Sequence, residues 1–376
     1  MTSPIYPPSS SPRGPAAVGV YQRLAPVSVP ILAILTALVV AGAAVVAAGS
    51  NPLEAYWALV DGAFGSWDRL ATTVGRATPF IGTALAMAFA YEAGLFNIGA
   101  EGQILAGALL AAWVGTWSWL GGWPGPVLIV VVLVAGTLGG FVWGLIPGVL
   151  KARTGAHEVI TTIMMNFIMA LSAAWLVNSL NPVILRDTDV SVARTRPLPD
   201  GARLPELVAG TKLHLGLFLM LGLVLLTAWT LRRTTFGFEV RAVGTNPEAA
   251  AYAGMSVNRT IILAMAISGA MAGLAGAGQV SGAEGHLSPG IFVNVGFDAI
   301  AIALLARANA YAIVPAALLW GALLSGAPLM QQRAGMSTDL VRIIEAAILV
   351  FIAGDVIIRY LFRIRSPEET SGVVAS

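Results

Sequence analysis

Ten apolar stretches, parted only by short polar breaks, leave this chain one environment in which to fold. They lie near residues 27–49, 78–91, 102–119, 126–150, 157–177, 213–231, 261–280, 291–306, 311–330 and 340–361. A hydrocarbon core takes about 20 apolar residues per helix, fewer where a helix is broken or re-entrant. The fold class this predicts is an all-α integral membrane protein of about ten transmembrane helices, some of them broken or re-entrant. Composition agrees: 57% of residues are hydrophobic and 11% charged, against about 25% charged in soluble domains.

Basic residues orient the bundle. With the amino terminus inside, Arg13, Arg23, Lys151, Arg153, Arg232, Arg233, Arg241, Arg259, Arg307, Arg359, Arg363 and Arg365 all fall on inner segments, as the positive-inside rule expects. Both termini are then cytoplasmic. The exception is the outer loop 178–212, where Arg186, Arg194, Arg196, Arg203 and Lys212 are interspersed with Asp187, Asp189, Asp200 and Glu206. Residues 1–26, rich in Pro and Ser, read as a disordered cytoplasmic tail. A membrane domain follows over 27–362, then a second tail over 363–376. A net charge of +2 makes no case for nucleic acid. The lack of cysteine excludes disulfides, and His157, His214 and His286 are too scattered for zinc. No catalytic constellation is visible: His157-Glu158 is followed by Val159, Ile160 and Thr161, so no second histidine arrives in register.

Two helices carry packing signals. Gly136, Gly140, Gly144 and Gly148 recur every fourth residue on one face, and Gly269, Gly273 and Ala277 repeat the pattern in another span. Such stripes admit a neighbouring backbone. Between two spans, the stretch FEVRAVGTNPEAAAYAG at 238–254 contains a bounded short helix. Asn246 suits its N-cap, Pro247 its first position and Glu248 its positive end, and Gly254 can close it in a left-handed conformation. Alone it is too short to be stable, so it is held by its flanking spans or docks on something.

Glu248-Ala249-Ala250, three residues and Gly254 resemble the EAA loop by which permease subunits of ATP-binding-cassette importers seat in a cleft of the ATPase, although the Leu-Pro that often follows is missing. Residues 92–107, EAGLFNIGAEGQILAG, resemble permeases of the branched-chain amino acid, ribose and nucleoside type, most of all those for nucleosides or simple sugars. Residues 296–307, GFDAIAIALLAR, resemble the same family, with Ala306 where Gly is commoner. The resemblance covers about 78–360. It implies an importer in which an extracytoplasmic solute-binding protein delivers solute and two permease subunits, here most simply non-identical, form the pathway in a bacterial inner membrane. ATPase chains, using ATP and Mg, then drive alternating access. The coupling helix would occupy 238–256, with Arg241, Gly244, Asn246, Pro247, Glu248, Ala249, Ala250 and Gly254 at the ATPase. No cofactor is expected on this chain itself: a phosphate-cradling loop needs Gly-Lys-Ser/Thr, yet Lys151 follows Leu150 and Lys212 follows Thr211.

Polar residues in apolar surroundings mark a candidate pathway: Glu92, Asn97, Glu101, Gln103, Asn166, Asn294 and Asp298. Glu92 and Glu101 could equally sit at the cytoplasmic boundary or cap helices by accepting backbone N–H bonds. Asn97-Ile-Gly-Ala-Glu101 and Asn294-Val-Gly-Phe-Asp298 share the form Asn-x-Gly-x-acid. The expected topology sets them on opposite sides of the membrane, as an inverted-topology repeat would, and Gly-interrupted segments in matching positions point to a substrate site. Arg342 with Glu345 and Asp355 with Arg359 have the spacing of local ion pairs. Residues 278–290 read as an outer loop, where Glu284 or His286 meets a binding protein or simply faces solvent. Two rival classes remain, an ion-coupled secondary transporter and a membrane-embedded enzyme.

Overall fold

The computed structural model describes residues 15–120, 122–335, 337 and 339–353. Its helices are α1 (Pro15–Ala47), α2 (Pro52–Phe64), α3 (Trp67–Glu92), α4 (Ala100–Gly115), α5 (Gly125–Thr154), α6 (Glu158–Asn178), α7 (Gly216–Arg233), α8 (Thr235–Thr245), α9 (Pro247–Tyr252), α10 (Val257–Gln279), α11 (Val295–Leu305), α12 (Ala310–Ala334) and α13 (Asp339–Ala353). No strand forms among the described residues, only isolated bridges between residues 180 and 214. Each of the ten apolar stretches overlaps a helix, the last of them only as far as Ala353, beyond which it lies outside the described residues. Among the described residues five helices, α5, α6, α7, α10 and α12, are long and apolar enough to cross a membrane, or six if α1 and α2, bent by 117°, count as one span.

The amino-terminal expectation needs correcting. Helix α1 begins at Pro15, so residues 15–26 are helical and not part of a disordered tail. Ala16, Ala17, Leu24 and Ala25 are good helix formers, and the apolar run beyond them propagates the helix backwards. Residues 1–14, the tail 363–376 and the Asp355–Arg359 pair lie outside the described residues.

Helix α3 is the axis. Every residue from 77 to 90 is buried, against α10, α12, α11 and α7. Because other helices screen it from lipid, it tolerates Thr73, Thr78 and Thr83, and Arg76 donates to the carbonyl of Leu324 at 2.8 Å. Helices α5 and α10 pack through the two glycine stripes, which face each other. A Cβ on Gly140 would lie 2.1 Å from the Gly269 oxygen, and one on Gly273 2.4 Å from the Gly136 oxygen.

Loop 179–215 closes one end of the bundle. Asp187 pairs with Arg194 at 3.2 Å and Lys212 with Glu284 at 2.6 Å. The backbone N–H groups of Thr195, Leu198 and Leu204 donate to the carbonyls of Leu287, Gly285 and Ser281 at 2.7–2.9 Å. These bonds explain a second correction. Residues 280–284, expected to be loop, continue α10 as a π-helical turn closed by Gly285 at φ +71°. The extra residue in that turn lets Ser281 donate to the Ala202 carbonyl. It also seats the His214 ring against Gly282. Glu284 is thus engaged inside the protein.

His214 is 1% exposed, and its Nδ1 accepts from the Gly216 N–H at 3.1 Å. Burial pushes its pKa down to about 4, and a proton on Nδ1 would also set two donors face to face. A histidine pKa depressed below its unfolded value of 6.5 contributes stability that is complete above pH 6.5 and is lost as pH falls towards 4. The full loss is about 3 kcal/mol. Thermal unfolding of the purified protein should therefore drop steeply between pH 6.5 and 4. In His214→Asn, whose side-chain oxygen can accept the Gly216 N–H without titrating, the slope should flatten.

Candidate functional site

Helix α3 ends against a turn that sends the chain back into the bundle. Gly94 adopts φ +73°, and the N–H of Leu95 reaches the Ala90 carbonyl at 3.1 Å. Residues 95–99 then run without helix to α4. Asn97, fully buried, holds this break together. Its amide donates to Gln103 Oε1 at 2.8 Å and to Ser268 Oγ at 2.7 Å, and its oxygen accepts the Gly99 N–H at 2.9 Å. Ser268 in turn donates to the Ala86 carbonyl at 2.6 Å. Asn166 of α6 clamps the other side, accepting from Gly102 N–H at 2.8 Å and donating to the Ile98 carbonyl at 2.9 Å. Unpaired backbone groups at a buried break are costly, and these three side chains satisfy them.

The second break meets the first. Asn294, at φ +67°, begins α11, and Glu101 of α4 accepts its N–H on Oε1 at 2.7 Å and that of Gly296 on Oε2 at 2.6 Å. A Cβ on Gly296 would lie 2.2 Å from the Glu101 nitrogen. The two Asn-x-Gly-x-acid motifs, expected on opposite sides of the membrane, are therefore in contact. The reason is length: α4 has 16 residues and α11 has 11, rising about 24 and 16 Å, short of a core about 30 Å thick. Their N-terminal ends meet within the bundle instead of at its surfaces. Glu101 takes the capping role that spacing alone left open, and takes it for a helix nearly two hundred residues away in sequence.

Asp298, one turn into α11, accepts from Arg342 Nη1 at 3.0 Å, and the same nitrogen reaches Glu345 at 2.8 Å. The expected Arg342–Glu345 pair thus forms, and it ties α13 to α11, which spacing within one helix did not reveal. Beside Glu101 lies a cavity of about 100 Å³, lined by α4, by α6 between Asn166 and Val177, and by residues 287–293. Of the residues predicted for a pathway, Glu101 and Asn166 line it. Asn97 and Gln103 are enclosed behind it, and Asp298 is engaged by Arg342. Glu92 is remote, in the last turn of α3 under α8.

Helices α8 and α9 form a knob at the opposite end from loop 179–215. The expected coupling helix 238–256 is not one helix but two, and its first part belongs to α8, which starts at Thr235 and is capped by Thr234 accepting from Gly237 N–H at 3.0 Å. Asn246 ends α8 and caps α9, its side chain accepting from the Ala249 N–H at 3.0 Å. Pro247 takes the first position and Gly254 closes at φ +84°. Ala250 is buried while Glu248, Ala249 and Tyr252 are exposed. A groove of about 460 Å³ runs between the two helices, lined by Phe238, Arg241, Thr245, Asn246, Ala249 and Met255 among others. The knob is seated on the α3 turn: a Cβ on Gly244 would lie 2.1 Å from the Glu92 oxygen and 2.8 Å from the Gly94 nitrogen.

Residues 69–353 match the family described as branched-chain amino acid transport system / permease component. The chain is 38% identical over 348 residues, 90% of its own length and 97% of the other, to the guanosine ABC transporter permease protein NupP of Bacillus subtilis. It is 35% identical over 347 residues, covering 91% and 93%, to the nucleoside ABC transporter permease protein NupB of Lactococcus lactis. It is 32% identical over 333 residues, covering 86% of each, to the glucose ABC transporter permease protein TsgB13 of Haloferax volcanii. No solved structure matches.

Proposed function

The chain belongs to the branched-chain amino acid transport system permease family, and from that premise we propose that it forms half of the solute pathway of an ATP-driven importer for nucleosides, with simple sugars the nearest alternative. The observation that carries the mechanism is the α8–α9 knob, a capped pair of short helices with an open groove, resting by Gly244 on the turn that leads into the solute site. An ATPase seated there can push on the break at 95–99. An ion-coupled secondary transporter would have no use for such a knob. The preference for nucleosides follows the two most similar relatives named above.

In this reading the knob faces the cytoplasm of a bacterial inner membrane, as do both termini, and the coupling element is 238–256. ATP and Mg are bound by the ATPase chain. A second, non-identical permease completes the pathway, and a binding protein delivers solute over loop 179–215. The ten apolar helices are all membrane segments, with α4 and α11 as half-length members whose N-terminal ends meet at the solute site, in the pattern of an inverted repeat.

Purification of the assembled complex tests this. The ATPase, a second permease and this chain should elute together, and nucleoside-loaded binding protein should stimulate ATP hydrolysis. A chain that elutes without any ATPase would sink the reading.

A further inference from the structure

Among the cavity's lining residues only Glu101, Asn166 and Ser288 are polar. Asn166 is committed on both sides of its amide, to Gly102 and Ile98. Glu101 is the one acidic group in the lining, and no Lys or Arg pairs with it among the described residues. The nearby acid Asp298 has its cation in Arg342, and Glu101 does not. The Glu101 oxygens accept the backbone N–H groups of Asn294 and Gly296, with that of Phe297 also directed at the carboxylate, which fixes the carboxylate plane without filling all of its roughly four lone-pair sites. The remaining walls, Leu105, Ala170, Ala173, Leu287 and Phe292 among them, are apolar.

From this arrangement we infer that Glu101 is the specificity-determining group of the pathway: its two oxygens take the paired hydroxyls of a neutral, ring-bearing solute, and its charge turns away phosphorylated forms. The assignment rests on the solute-pathway reading above. A fixed carboxylate offers two acceptors side by side, the complement of a vicinal diol, and hydrogen bonds to a charged group outweigh those to a neutral one. The apolar walls suit the face of a furanose or base. A ligand site usually spans about 300–1,000 Å³, so a cavity of about 100 Å³ receives the hydroxyl-bearing end while the partner permease encloses the rest. A phosphate brought against an unpaired carboxylate meets like charge in a low dielectric.

The test uses the complete assembly in proteoliposomes with saturating binding protein, and measures ATP-dependent uptake of guanosine, 2′,3′-dideoxyguanosine and guanosine 5′-monophosphate. Wild type should prefer guanosine over both analogues. Glu101→Gln, which keeps an acceptor for α11 but loses the charge, should cut guanosine uptake about 10-fold or more while changing dideoxyguanosine uptake about 2-fold at most, so that their ratio collapses. It should also admit the monophosphate. Equal loss for guanosine and dideoxyguanosine would show that the carboxylate only staples α11, and would overturn the assignment, as would an unchanged ratio. If Glu101→Gln fails to assemble, Glu101→Asp keeps the charge but withdraws it by one methylene, and a preference equal to wild type overturns the idea in its turn. Wild-type uptake of none of the three, with ATP hydrolysis answering to another solute, rejects the solute class and with it this assignment. That result differs from a wild type that transports guanosine and a variant that keeps its preference.

Discussion

Gly273→Ala is expected to destabilise the protein, whereas Gly278→Ala, further along the same helix, is expected to stabilise it slightly. In a bare helix either change is favourable, by up to about 1 kcal/mol, because alanine loses less backbone freedom than glycine. At Gly278 nothing lies within 4 Å of the added methyl, so that gain survives. At Gly273 the methyl would sit 2.4 Å from the Gly136 oxygen and 2.7 Å from the Gly140 Cα. Both are backbone atoms of α5, so only separation of the helices relieves the overlap. From the third side, a Cβ on Gly107 of α4 would lie 2.3 Å from the Gly273 Cα, so α10 has no free direction of retreat. Overpacking of a tight core costs about 1–3 kcal/mol, occasionally more, which outweighs the propensity gain and reverses the sign. Gly273→Leu should abolish recovery of folded protein. Thermal midpoints of the detergent-purified variants, with recovery as a single size-exclusion peak, check the order Gly278→Ala, wild type, Gly273→Ala. A Gly273→Ala midpoint at or above wild type would show that α5 and α10 do not meet at these glycines.

The facing of the two stripes was not legible in the sequence, since the contact joins two distant segments, whereas the stripes themselves were, because glycine at four-residue spacing lets a neighbouring backbone approach an apolar helix. The cap signals of α9 were legible for the same reason: Asn246, Pro247 and Gly254 each do something local, and local chemistry is visible in sequence. The expected coupling segment 238–256 did not reveal α8 as a separate helix starting behind its Thr234 cap, because what sets it apart is tertiary contact: Val240 and Val243 are buried and Gly244 is pressed on α3. Helix α2 escaped because it is apolar on two faces, Ala58 and Leu59 inward, Leu53 and Trp57 outward, so no period distinguishes it. Of the polar residues flagged for a pathway, burial cost alone could not separate those that bind solute from those that repair backbone. Asn97 and Gln103 pay that cost to close a break. Glu101 does so too, but also faces open space. Its partner α11 was invisible because the bond joins two distant segments, and only the shared Asn-x-Gly-x-acid form hinted that they belong together.

Enlarging Gly244 should disconnect the ATPase from the solute site without detaching it. The groove residues that would meet an ATPase, Arg241, Thr245 and Ala249 among them, line the α8–α9 groove. Gly244 is turned instead toward the Glu92 oxygen and the Gly94 nitrogen, at 2.1 and 2.8 Å from the position of a Cβ. From Gly94 the chain passes through Asn97 to Glu101, which holds the start of α11. This contact joins the knob to the proposed solute site by a short stretch of backbone, and the close approach of the two backbones passes a displacement of α8 on to it. Coupling between sites needs such a physically continuous element. A valine at Gly244 must lift α8 from the α3 turn, since the obstructing atoms are backbone. Uptake should then fall about 10-fold or more, equivalent to about 1.4 kcal/mol of lost coupling, and stimulation of ATP hydrolysis by loaded binding protein should fall with it. The ATPase should still co-purify. Ala250→Asp, which buries a charge beneath the docking helix, should by contrast release the ATPase from the complex. The comparison separates docking from transmission, and a Gly244→Val assembly with wild-type uptake and stimulation would place the mechanical link elsewhere in the bundle.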